Sequence, residues 1–557
     1  MKRLLIVVAA LVTSACATIP TTGPVVKGQP IDVLQNNGFV RVIARPPVDG
    51  MEPAEVVRGF LAASPSLADG DGTALEYLTP QAAVSWTPEN IVHVYDAAAL
   101  KVTAETGGEV SISAPLLATI DSQRRYAAAP AGTLTTDRLR LVRIDGQWRI
   151  DTVPAAMLMA AADVERSFRT YRVYFVDDAL QRLIPEFVLL PVGSFSLHTQ
   201  LIESLLAGPT AAWATSVHTA IPENTSLAYD FVAVSGSTAT VALDRRALDA
   251  SPVERRALAA QITWTLTRLG SVAAVRIEVD GENLAVAGFD AVYTAGDFAA
   301  FDPAQPTTTA RPTGVIVDGE GWVQRDEVRT RLIDTPALAA MAVARDGSRW
   351  AAVAEDRRTL LTATSAGAVE QIARGGDLAA PAVLNDGSVW FVDRENDGGV
   401  RTYDPVGGVR AVPTGLPKGY RVLDLAIAPD GVRAALIVHD GTQTSLRIGV
   451  IDRTGTRTRI TSPVRIEQQL TSATRAAWMD PEQLVVLGSL GAVTVQPITV
   501  ALARGTVSVL GGPPNVTDIT AAPGADVLVS DQAGQLWAYD GGRWSALAQG
   551  SAPLYAH

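Results

Sequence analysis

Apolar and polar residues alternate along this chain with several different periods, and each period marks a different kind of element. At the N-terminus Leu4 to Val12 is an unbroken apolar run. From Met51 the spacing becomes helical. Val56, Val57, Phe60 and Leu61 share one face, and Glu52, Pro53 and Glu55 give the acidic first turn and early proline that favour a helix start. A turn at Asp69-Gly70-Asp71-Gly72 precedes a second short helix over Ala74 to Leu78. Alternation then takes over. Leu139 to Ile144 and Gln147 to Asp151 flank Asp145-Gly146, a dipeptide that readily takes positive φ, so a hairpin is predicted. Further on, Tyr171 to Val176 and Gln181 to Leu190 are predicted strands on either side of Asp177-Asp178. Thr199 to Leu206 is a helix stopped by Gly208 and Pro209. Ala228 to Val234 and Ala239 to Asp244 are predicted strands, Pro252 to Leu269 a helix, and Val275 to Val279 a strand before Asp280-Gly281.

Two of these stretches resemble known modules. Helices followed by a curved antiparallel sheet ending on Asp145-Gly146-Gln147-Trp148-Arg149-Ile150-Asp151 resemble the cone-shaped fold of the nuclear-transport-factor-like superfamily. That resemblance assigns residues 48–160 to an α+β module. Its concave pocket is catalytic in some relatives, but no acid/His pair is evident here, so a scaffold is expected. The order YRVYFVD, LIESLLAGP, AIPENTSL, VALD, QITWTLTRL and VRIEVDG resembles the GerMN domain and assigns residues 166–295 to a second α+β module. That family supplies no catalytic residues, so Gly208 and Pro209 are taken as a helix stop and nothing more.

Ala291 to Pro312 lacks an apolar period and is rich in Pro and Thr, which marks residues 296–312 as a linker. Few contacts should cross so polar a stretch, and proteolysis near 305–312 is expected to free an independently folded C-terminal part. Beyond it the chain repeats. Asp346-Gly347, Asp386-Gly387 and Asp430-Gly431 each join two strand-like runs and lie 40 and 44 residues apart, close to the period of a four-stranded propeller blade. Weaker copies surround Asp480-Pro481 and Pro523-Gly524. A β-propeller of five or six blades over residues 313–557 follows. The fold class is therefore multidomain, α+β and all-β.

Composition narrows the picture. The 557 residues exceed what one core normally serves, and 47% hydrophobic content excludes a disordered chain. A net charge of −12, spread without acidic blocks, gives no footprint for nucleic acid. The single cysteine, Cys16, closes the sequence Met1-Lys2-Arg3, apolar run, Thr13-Ser14-Ala15-Cys16. Nine apolar residues cannot span a bilayer, which takes roughly 20. Residues 1–15 read as a signal sequence resembling a lipobox, with Thr13 where Leu is usual. Cys16 is then the site of lipidation, including palmitate, and residues 16–47 are a tether from the cell membrane on its extracytoplasmic side.

Catalytic and metal-binding chemistry finds little support. His93, His198, His218, His439 and His557 are dispersed without paired spacing, and neither a G-x-S-x-G elbow nor a P-loop occurs. No catalytic residue, metal or cofactor is assigned, although carboxylate pairs at a propeller channel would not be visible in sequence. Asp393, Glu395, Asp397, Gly398 and Asp404 match the spacing of an EF-hand-like calcium loop. A polar hairpin between two blade strands accounts for the same residues and is the preferred reading.

Lipobox, cone-shaped module, GerMN-like module and propeller, in this order, resemble the LpqB lipoproteins of actinobacteria over essentially the whole chain. Leu378 to Asp393 resembles the family's propeller signature in particular. The resemblance implies a non-enzymatic accessory role. The partner would be the extracytoplasmic domain of the sensor histidine kinase MtrB, in the MtrAB two-component system that controls envelope and division. The alternative is a cell-wall ligand-binding or hydrolytic propeller lipoprotein. Substituting Cys16→Ser is expected to abolish palmitate labelling and to move the protein to the soluble fraction or leave its precursor uncut. Unchanged labelling would contradict the anchor.

Overall fold

The computed structural model describes residues 44–556 apart from 66–71, 87–90, 131, 155, 193–195, 304–310, 366, 397, 454–456, 468 and 492–493. Cys16, the signal sequence and most of the tether lie outside the described residues, as do Asp397, His557 and the turn at 69–71. The tether's last residues are packed: Ala44 is buried, and the Arg45 carbonyl accepts the Tyr77 hydroxyl at 2.8 Å.

In the first module, helix α1 (Pro53–Ala63) starts where the Glu55 carboxylate accepts the Glu52 N–H at 2.9 Å. It buries Val56, Val57, Phe60 and Leu61 on the face the sequence pattern marked. Gly59 faces Tyr77 so closely that a Cβ there would lie 2.5 Å from the ring. The segment Gly72–Tyr77 is a 3-10 helix, and α2 (Pro80–Ser85) follows, capped by the Thr79 hydroxyl. These pack on a seven-stranded sheet whose long member, Glu109–Ile120, pairs with Leu134–Ile144 and Val92–Tyr95. Asp145 (φ 52°) and Gly146 (φ 82°) make the two-residue hairpin turn that their dipeptide favours. One strand departs from the antiparallel expectation: Met157–Ala160 pairs parallel with Val92–Tyr95. Helix α3 (Ala161–Ser167) then leads into the second module.

That module opens with the hairpin Phe168–Val176 and Leu183–Pro191, in which Pro185 pairs opposite Tyr174. Helix α4 (Leu197–Leu206) ends at Ala207, with Gly208 in the left-handed region (φ 83°). Helix α5 (Pro252–Thr267) crosses between the parallel strands Thr238–Leu243 and Ala274–Val279 and is buried on every side from Ala257 to Leu266. Its polar residues must therefore find partners inside. Gln261 accepts the Ala220 N–H at 2.7 Å and donates to the Tyr174 carbonyl at 2.9 Å, and Thr265 accepts the Tyr174 N–H. Two expectations are corrected here. Ala228 to Val234 is not a strand; only Ala233–Ser235 pairs, and Tyr229 and Phe231 stand exposed. The presumed linker begins too early, because Ala295–Phe301 forms a 3-10 helix whose Phe298 and Phe301 complete the module's core.

Among the described residues the propeller has six four-stranded sheets. Blades two to six are consecutive in sequence, spanning 338–374, 382–412, 421–465, 470–509 and 516–549. The first is composite: Thr313–Val317, Glu320–Arg325 and Val328–Arg331 are joined by Ser551–Tyr555 from the chain's end. The Asp-Gly pairs sit at tight turns, with positive φ at Gly347, Gly387 and Gly431. The expectation that few contacts join the propeller to what precedes it is also corrected. Val432 and Val450 of the fourth blade belong to the second module's core, Trp213 packs against the core of blades four and five, and Arg172 pairs with Glu482. The first module is likewise continuous with the second. Val92, Val94, Ile120 and Met159 form one cluster with Phe168 and Leu189.

Deleting Ser551 to His557 removes the partner strand of Thr313–Val317 and withdraws Ala552, Leu554 and Ala556 from the core they share with Ile316 and Met341. Loss of Leu554 alone should cost about 2–5 kcal/mol. The truncated chain is expected to lose cooperative unfolding by circular dichroism, and an unchanged denaturation midpoint would contradict closure by the terminal strand.

Candidate functional site

Propellers usually place ligands on their axis, so the channel comes first. The inner strands Leu338–Val343, Ala382–Val383, Arg421–Ile427, Leu470–Asp480, Val516–Thr520 and Ser551–Tyr555 leave a cavity of about 80 Å³ lined mainly by Ala, Val, Ile and Leu. Small-molecule sites typically run to about 300–1,000 Å³, so this one has room for a few waters. Its charged lining is already paired. The Arg475 guanidinium lies 3.2 Å from Asp518 and 3.6 Å from Asp424, and Asp424 also accepts the Ala476 N–H at 3.0 Å. Burial pushes the Asp518 carboxyl above its usual range, with Arg475 opposing. Burial also works against the Arg475 charge, but Asp518 and Asp424 outweigh it. Two carboxylates bridged by one guanidinium have their oxygens engaged with it, which leaves them poorly placed to reach a substrate proton.

The turn of the fourth blade meets the second module. Arg433, with 0% side-chain exposure, donates from Nε to Asp430 at 2.6 Å, and its guanidinium carbon sits 5.1 Å from the Trp478 ring centre. Its two terminal nitrogens have no hydrogen-bond partner among the described residues. Arg182 of the second module donates to the Asp430 carbonyl at 3.1 Å. A further junction ties the first module in. Arg125 lies 3.1 Å from Glu186, donates to the Gly208 carbonyl at 2.6 Å, and Thr210 donates to Glu186 from both N–H and hydroxyl. Burial raises the Glu186 carboxyl, with Arg125, Thr210 and Arg433 all opposing. Gly208 is thus more than the helix stop expected of it. Arg433 went unnoticed in sequence, although an arginine inside the apolar run Val432 to Val438 was the available signal.

The other candidates separate in space. His93 contacts Thr135 at 3.1 Å, His198 contacts Ser271, His218 contacts Asp178, and His439 accepts the Gly441 N–H. Among the described residues no group of three or more His, Cys, Asp or Glu could hold a metal ion. In the cone one acid lies within reach of a histidine's charge, a proximity that the sequence did not show. Burial raises the Asp137 carboxyl and the nearby His93 opposes this. In the calcium-like loop, the fully buried Asp393 accepts from Gly376 N–H and from Asn396, while Asp404 caps the far turn at Val406 and Gly407. Those two carboxylates serve opposite ends of a hairpin, as the preferred reading held.

Three family models match in chain order. They are described as "Lipoprotein LpqB, N-terminal domain" over residues 46–165, "Sporulation and spore germination" over 172–285, and "Lipoprotein LpqB beta-propeller domain" over 327–556. The chain is 29% identical over 595 residues to "Lipoprotein LpqB" of Cutibacterium acnes (strain DSM 16379 / KPA171202), covering 99% of this chain and 98% of that one. It is 26% identical over 615 residues to "Lipoprotein LpqB" of Thermobifida fusca (strain YX), covering 98% and 97%. Among solved structures, the tandem GerMN domains of the sporulation protein GerM from Bacillus subtilis are similar at 14% identity, covering 30% of this chain and 62% of that one, with a TM-score of 0.20.

The channel cluster yields a pH-dependent test. Asp518 has its folded pKa raised, so its contribution to stability is fully present below the unfolded value of 3.8 and is lost as pH rises through the folded pKa. Arg475→Met removes the opposing cation and extends that loss toward neutral pH. Breaking a buried pair costs about 3–5 kcal/mol. The variant is expected to lose that much in urea unfolding at pH 7 and less at pH 5. An equal loss at both would contradict the charge cluster.

Proposed function

The chain belongs to the LpqB lipoprotein family, and from that membership we propose that it is a membrane-anchored extracytoplasmic lipoprotein that modulates a sensor histidine kinase. The system proposed is of the MtrAB type, controlling envelope and division, and the contact proposed is with the kinase's extracytoplasmic domain. No helix among the described residues is long and apolar enough to cross a membrane, so attachment is assigned to lipid on Cys16. The observation that carries a binding role over a catalytic one is the channel. It is narrow, and its Arg475, Asp424 and Asp518 charges are spent on one another. A partner would then be met by outer protein surface. The lipid adds to this, because confinement of both partners to one membrane raises their effective concentration and lets a weak contact be occupied.

The test is kinase-dependent reporter output in a deletion strain. The strain carries the anchored form, the Cys16→Ser form at equal exported amount, or a form lacking residues 313–557. Altered output on deletion, restored by the anchored form and poorly by the other two, is expected. Equal output in deletion and wild-type strains would overturn the regulatory reading, and full rescue by Cys16→Ser would overturn the role given to the anchor.

A further inference from the structure

A void much larger than the axial one lies off the propeller's axis. On the third blade Trp390 pairs beside Thr402, and Thr402 beside Arg410, so these side chains share one face together with Ser388 and Asp404. That face looks toward the fourth blade, since Trp390, Val392, Val400 and Val412 form one core with Val422, Leu436 and Ile460. At the Val392 end the two blades are packed shut. At the other end they separate, and Arg453, Arg457 and Thr458 of the fourth blade stand across a cleft of about 770 Å³. This falls within the range of small-molecule sites, roughly 300–1,000 Å³.

The polar groups of the cleft are unequally committed. Asp386 accepts the Ser388 N–H at 2.9 Å and its hydroxyl at 2.6 Å, and Asp404 accepts the Val406 and Gly407 N–H groups, both at 2.8 Å. Both acids therefore serve their own turns, and those turn amides hold the Asp404 carboxyl below its usual range. Arg453 donates to the Gly431 carbonyl at 2.8 Å. Among the described residues Arg457 makes no hydrogen bond or ion pair within 4 Å, and Arg410 makes none either, though it lies near enough to Asp404 to help lower that carboxyl. The result is a cleft rich in unspent donors and poor in unspent acceptors. Guanidinium forks of this kind match carboxylate and phosphate oxygens two at a time.

Going beyond the kinase reading, we infer that the cleft between the third and fourth blades binds a small anionic ligand, a carboxylate or phosphate on a polar body of about sugar size, held by Arg410, Arg453 and Arg457. The Trp390 indole, tied to Ser388 at 3.3 Å, forms the inner wall, and the Thr402 hydroxyl is placed to meet a polar substituent.

The test uses the full exported chain carrying Cys16→Ser, with glycerol 3-phosphate, citrate and glucose as probes in isothermal titration at fixed ionic strength. Saturable binding of at least one anion is expected, with glucose silent, and the anion that binds assigns the ligand's acidic group to phosphate or carboxylate. The pair Arg410→Gln and Arg457→Gln should weaken that binding roughly tenfold or more. Both side chains are exposed, so the melting temperature should not move. Arg543→Gln, at an exposed turn of the sixth blade, should leave binding unchanged. No saturable binding of either anion, equal binding of glucose, or binding that survives the paired substitution would overturn the inference.

Discussion

A guanidinium with no solvent at all holds the molecule's middle together. Arg433 lies between Asp430 and the Trp478 ring, and the second module's hairpin closes over the same turn through Arg182. A charge so placed has lost its water and is hydrogen-bonded to one carboxylate, Asp430, with Glu186 and Asp480 near enough to feel it, so separating the module from the blade would re-solvate the pair while exposing Val432 and Val450. The apolar part of that interface favours docking, and the buried pair fixes which turn is docked. The first module depends on this placement in turn, because Arg125 reaches Glu186 and Gly208 only where the hairpin and α4 are held in register. Three modules distinct in sequence therefore behave as one body from residue 44 onward.

The propeller is built to the same end. Its ring is locked by a terminal strand, its axis is narrow, and its charged residues there are paired with one another. A fold shared with many enzymes implies no chemistry by itself, since function resides in sites and not in architecture. Here the interior offers little room, whereas the edges between blades do.

Much of the fold was legible because local rules and tertiary context agreed. The helical stripe from Val56 to Leu61, the Asp145-Gly146 hairpin and the regular Asp-Gly turns of the blades all appear where pattern placed them. What stayed hidden depended on distant partners. Nothing local in Ser551–Tyr555 shows that it completes the blade begun at Thr313, and Phe298 and Phe301 looked like linker because a 3-10 turn carries no helical period. Tyr229 and Phe231 have strand propensity, but no neighbouring strand comes to pair with them, so propensity lost. The site residues were less legible still. Arg475, Asp424 and Asp518 come from three different blades, and His93 and Asp137 lie on different strands.

Continuity of the second module with the fourth blade can be measured directly by differential scanning calorimetry of the full unanchored chain beside its residues 311–557. The shared core predicts that the propeller within the full chain unfolds together with the second module, in one transition well above that of the isolated fragment. A separate transition in the full chain at the fragment's own temperature would show that the modules are merely tethered, and would contradict the single body described above.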